Sequence, residues 1–123
     1  MGALAITQAR CLALMARRSD IEYLQQQVSQ KRIMLAMQEG NISTQETNDM
    51  ASAGTDENTM NGLSEKYTAE LAPVQALDKV LELQSQQYDT QHQSIQTELD
   101  ACKKMLENDT GNKSTFAIFG ANA

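Results

Sequence analysis

A seven-residue spacing constrains this chain more than any other feature. Leu14, Ile21, Val28 and Leu35 fall seven apart, with Leu24 on the adjoining position. A second series runs Val74, Leu81, Tyr88, Ile95 and Cys102. An apolar residue at every seventh position keeps one seam of a helix turned toward a partner helix, which is the signature of a coiled coil. Leu77, Leu99, Met105 and Leu106 flank the second stripe, and Gln84 and Gln91 are placed on its seam. Polar seam residues cost stability but fix register or partner number. The spacing predicts a helix over about 3–39, where no Gly or Pro intervenes, with Arg17, Arg18, Glu22, Gln25, Gln26, Lys31 and Arg32 on its other faces.

Composition points the same way. The chain has 5 aromatic residues in 123, no Trp, and 14 Gln, while Ala, Leu, Met, Gln, Glu and Lys favour helix. A compact sheet-containing core needs more aromatic and β-branched residues than this. From Gly40 to Gly62 the residues turn to Asn, Ser, Thr, Asp and Gly (NISTQETNDMASAGTDENTMNG), so residues 40–63 are expected to form a polar loop. Ile42 extends the first seam by a heptad if Gly40 is tolerated. The second helix is expected over about 64–109, capped at Ser64 and kinked or restarted at Pro73. Asp109-Thr110-Gly111-Asn112 reads as its stop, and a tail of 110–123 carries an apolar cluster that includes Phe116 and Phe119.

The expected fold is all-α: an antiparallel long-helix hairpin, coiled-coil-like, in a single domain of residues 1–123. If Gly40 lies level with Pro73, paired positions sum to 113, and Cys11 comes level with Cys102. Two readings of that pair stand. Reduced thiols pack as small hydrophobes in a seam. A disulfide there would close a very long loop, worth about 4–5 kcal/mol in the chain-entropy view. The packing residues of the hairpin, and of any assembly it forms, are Leu14, Ile21, Leu24, Val28, Leu35, Val74, Leu77, Leu81, Tyr88, Ile95, Leu99, Cys102, Leu106, Phe116 and Phe119.

Catalytic and metal chemistry find little support. His92 is the sole histidine and lies ten residues from Cys102, about 15 Å along a helix, too far for a shared zinc site. The run Asp56 to Gly62 fails the calcium-loop pattern in either register, because Met60 or Thr68 falls where a ligand belongs. Phosphate-binding glycine loops and the common hydrolase motifs are absent. The carboxylate pairs Glu98/Asp100 and Glu107/Asp109 sit two apart, on different helix faces. No enzyme activity, cofactor, catalytic residue or metal is expected. A net charge of −6 argues against nucleic acid, whose phosphates need a basic face.

The N-terminal residues lack the basic start and unbroken apolar core of a signal peptide, and no run reaches the ~20 apolar residues of a membrane span. The expected setting is synthesis in the cytoplasm without a cleaved signal, with no stable membrane insertion, and export to the cell surface left open. Asn41, Asn108 and Asn112 begin N-x-S/T triplets that read as chance occurrences. Charge divides unevenly: residues 1–39 carry +2, 40–72 carry −5 and 73–109 carry −4. Basic and acidic helices attract one another, within a chain or between copies. Met34 and Met37 beside Ile33 and Leu35 widen the apolar face beyond what two helices use, which calls for a third helix.

Terminal helices that pair over residues 3–39 and 73–109, around a polar middle, resemble the axial subunits exported by type III secretion and flagellar systems. Here the connection is longer than the needle subunits' short Pro-containing turn. The resemblance implies terminal helices packed in a tubular filament, with the middle facing outward. The leading expectation is a structural, self-assembling protein: a filament, appendage or secretion-apparatus subunit whose partner is itself or another helical protein. Two further readings are a small acidic chaperone or adaptor that clasps a partner's amphipathic helix, and a phage or viral assembly component.

Overall fold

The computed structural model describes residues 2–110, which form two long helices packed against each other, an all-α hairpin. Helix α1 spans Gly2–Ala53 and α2 spans Glu57–Thr110. Phe116 and Phe119, and nearly all of the expected tail, lie outside the described residues.

The reversal takes three residues. Gly54 sits at φ +68°, the left-handed conformation that ends helices and that glycine adopts without a Cβ penalty. Asp56 then caps α2: its Oδ1 accepts the Asn58 N–H at 3.1 Å, and its Oδ2 accepts the Thr59 hydroxyl at 2.7 Å. The hydroxyl bond is the main cause that holds the Asp56 carboxyl below its ordinary value. Glu57 adds a negative charge in the first turn, where the helix dipole favours it.

The loop expected at 40–63 is therefore helix on both sides of a short turn. Polar residues are weak helix formers rather than breakers, costing only about 0.7 kcal/mol each at most. Their hydroxyls are satisfied inside the helix, Thr44 donating to the Gly40 carbonyl at 2.9 Å and Thr47 to that of Ser43 at 3.0 Å. The cap at Ser64 is displaced to Asp56. Nor does Pro73 restart the chain, since α2 runs through it. Proline removes one N–H donor, and the carbonyl left without it belongs to exposed Ala69, where water can reach it.

Two compact units are present, each taking a piece of both helices. In the first, described residues 2–25 and 87–110, Cys11, Leu14, Ile95, Leu99 and Cys102 form a buried cluster, with Met15 and Ile21 against it. Cys11 and Cys102 are joined by a disulfide, with Cα atoms 5.8 Å apart. This corrects the reading of reduced thiols: the two positions face each other closely enough to bond. Arg18 donates to Gln96 at 3.1 Å and Gln25 to Asp89 at 2.8 Å. His92 Nε2 lies 3.9 Å from Glu22 Oε1.

In the second unit, residues 26–86, the buried residues are Val28, Leu35, Tyr67, Val74 and Leu81. Arg32 Nε donates to Asp78 Oδ1 at 2.9 Å. That contact raises the Arg32 guanidinium and holds Asp78 below the usual carboxylate range. The buried Tyr67 ring donates its hydroxyl to Asp49, which pushes the phenol up to about 12.

A continuous three–four rhythm underlies both units. Buried and half-buried positions on α1 include 7, 11, 14, 18, 21, 25, 28, 32, 35, 39, 42, 46, 49 and 53. On α2 they include 67, 71, 74, 78, 81, 85, 88, 92, 95, 99, 102 and 106. Each seam therefore has two lines. One is the apolar series read from the sequence, continued by Ile42. The other is largely polar: Arg18, Gln25, Arg32 and Glu39 on α1, and Asp78, Ser85 and His92 on α2. Arg18, Gln25 and Arg32 thus belong to the seam, not to the other faces. Gln84 and Gln91 are exposed and off it. In the register whose positions sum to 113, Arg18 falls level with Ile95, Gln25 with Tyr88, and Leu35 with Asp78. The polar seam residues find polar partners across the seam, Arg18 with Gln96, Gln25 with Asp89 and Arg32 with Asp78. Only Leu14 with Leu99, and the disulfide level beside it, is apolar on both sides among the levels nearest the chain ends.

Candidate functional site

A seam half-filled with polar residues leaves large apolar side chains outside it. In the second unit Ile33, Met34, Met37, Leu77, Val80 and Leu83 are all about half or more exposed, from 48% at Leu77 to 69% at Met34. Isolated exposed apolar residues are ordinary, whereas a contiguous set marks an interaction surface. Here several are contiguous. Met34 and Met37 of α1 and Leu77 and Val80 of α2 line a groove of about 720 Å³, with the seam residues Leu35 and Leu81 also in its wall. Lys31, Gln38, Asn41 and Gln84 complete the lining. Lys31 is the one charged residue in it and makes no ion pair among the described residues.

Helical spacing builds this site. Met34, Gln38 and Asn41 are spaced four and three apart, on one side of the α1 seam. Leu77, Val80 and Gln84 repeat the arrangement on α2. The Arg32–Asp78 pair belongs to a different hollow, lined by Ser29, Ile33, Ala36 and Ser85, so the groove is free of its charges. Unbranched, flexible Met side chains suit a surface that adapts to a partner.

Placement of the residues expected to pack is uneven. Leu14, Ile95, Leu99 and Cys102 come together in the first unit's buried cluster, and Leu106 is buried in the same unit. Val28, Leu35, Val74 and Leu81 are buried in the second, while Ile21, Leu24 and Tyr88 are half-buried. Leu77 stands one position before the seam residue Asp78, is about half exposed and lines the groove. Sequence reasoning missed Tyr67, Thr7 and Val80. Tyr67 falls in the stretch read as leading into a kinked helix, and its seven-residue relation to Val74 was the available signal. Val80 was hidden because it precedes Leu81 and adds nothing to a seam count.

Among the described residues, no group of three or more His, Cys, Asp or Glu side chains is gathered as a metal site would need. No helix of the described residues is long and apolar enough to cross a membrane. No protein-family model, curated protein or solved structure matches the chain.

Proposed function

We propose that this chain is a structural protein that assembles with copies of itself, a subunit of a filament, appendage or secretion apparatus. The observation that carries the reading is the apolar surface of the second unit, which the intramolecular seam leaves exposed at Met34, Met37, Leu77 and Val80. Two helices bury one stripe each, and a thin hairpin with surplus apolar surface gains stability by packing against further helices. The Cys11–Cys102 bond supports a working life in an oxidising compartment, because such bonds rarely persist in the cytoplasm. This favours export over a cytoplasmic role.

Light scattering and negative-stain electron microscopy of the purified oxidised chain test the proposal. Mass should rise with concentration through the micromolar range, toward large assemblies. A constant monomer mass across that range overturns it.

One observation favours an adaptor as the second reading. Apolar side chains of both helices line the groove, and an apolar groove accepts a single amphipathic helix. An adaptor would remain a monomer at all concentrations.

A further inference from the structure

We propose that the groove of the second unit docks on the same groove of a second copy, with the two hairpins antiparallel and Lys31 of each copy at the end where the other carries Glu70. This rests on the self-assembly reading and names one contact of it: a two-fold contact closes at a dimer, and growth beyond the dimer takes a further surface.

Charge within the second unit selects both the occupant and its direction. Around the groove, residues 26–39 and 73–86 are neutral: Lys31, Arg32 and Lys79 balance Glu39, Asp78 and Glu82. A neutral surface with an apolar centre can meet a copy of itself without burying unpaired charge, and interface cores are depleted of charge for that reason. Residues 40–72, toward the turn, carry Glu46, Asp49, Asp56, Glu57, Glu65 and Glu70 against Lys66 alone, a net of −5. Parallel docking would stack two such ends, whereas antiparallel docking sends them to opposite ends of the contact.

The groove's own charges fit the same direction. Glu70, Leu77 and Gln84 are seven apart on α2, so exposed Glu70 falls on the groove side, one heptad nearer the turn than Leu77. Lys31 lines the opposite end, on α1. Reversing one copy carries Lys31 to the end where its partner bears Glu70, and the two-fold symmetry makes this pairing twice. Met34, Leu77 and Val80 occupy the centre of both surfaces.

Sedimentation equilibrium of the full oxidised chain tests this, with circular dichroism to check that each variant keeps its helicity. Met34→Asp places a charge at the centre of the contact on an exposed position of the monomer, and should weaken association by roughly a hundredfold. Lys31→Glu and Glu70→Lys should each weaken it by roughly two- to fivefold, and the double reversal should restore it. Undiminished assembly of Met34→Asp overturns the groove as the contact while leaving self-assembly standing. If Met34→Asp dissociates but the charge reversals change nothing, the antiparallel alignment is overturned. A wild-type monomer at every concentration overturns both this inference and the reading beneath it, and leaves the groove to a different chain.

Discussion

Two carboxylates of this hairpin make bonds that acid should expose. Asp78 accepts from Arg32, and Asp56 caps α2 through Asn58 and Thr59. Both have carboxyl groups lowered from their ordinary value. The contribution of a group lowered on folding is complete above the unfolded value of 3.8 and is lost as pH falls through the folded one. Urea midpoints should therefore stay level from neutrality down to the carboxylate range and then drop. Asp78→Asn should lower the neutral midpoint and flatten the acid limb. An Asp78→Asn chain with the wild-type acid limb would remove Arg32 as the cause. Tyr67 acts at the other extreme: its phenol is raised to about 12 by the bond to Asp49, so its contribution holds below the ordinary value of 10 and fades as pH rises through 12.

At the scale of the elements, the apolar line of each seam was legible and the polar line was not. A heptad is recognised from apolar residues, and Arg18, Gln25 and Arg32 repeat with the same spacing yet look like surface until a partner side chain is placed against each. The pairing of Cys11 with Cys102 that the register sets level is present for a related reason. Extending α1 on to Ala53 and α2 back to Glu57 moves the turn without changing the level of Cys11 against Cys102. The groove was half legible, through the Met34 and Met37 surplus, while its α2 side needed the seam to be located first. The extended helices give a direct prediction. Gln45 is exposed inside α1, within the stretch that composition assigns to a loop. Gln45→Pro should lower stability by about 3 kcal/mol, as proline does in a helix interior. Chemical denaturation measures this, and a change under about 0.5 kcal/mol, the usual surface range, would return residues 40–53 to a loop.

For the whole molecule, the covalent link between Cys11 and Cys102 is the interaction of greatest expected magnitude. It ties residues 91 apart in sequence. In the chain-entropy view, closing a loop of that length stabilises the folded state by about 4–5 kcal/mol, comparable with the whole stability of many small domains. The seam explains why so large a contribution matters, since many of its positions are polar, among them Arg18, Gln25, Arg32 and Glu39 on α1 and Asp78, Ser85 and His92 on α2. Reduction in denaturant followed by refolding with thiols kept reduced should shift the urea midpoint downward by the equivalent of that energy, without changing the helical signature before the transition. Cys11→Ala with Cys102→Ala should match the reduced chain to within the small packing loss of the two sulfurs. The loss should also be local. Amide exchange should accelerate most in residues 2–25 and 87–110, where the bond sits among Leu14, Ile95 and Leu99, and less in 26–86, where Arg32–Asp78 and Tyr67–Asp49 are untouched. Equal midpoints for the oxidised and reduced chains would mean that the half-polar seam supports the hairpin unaided, and the link would then have to be explained by something other than stability.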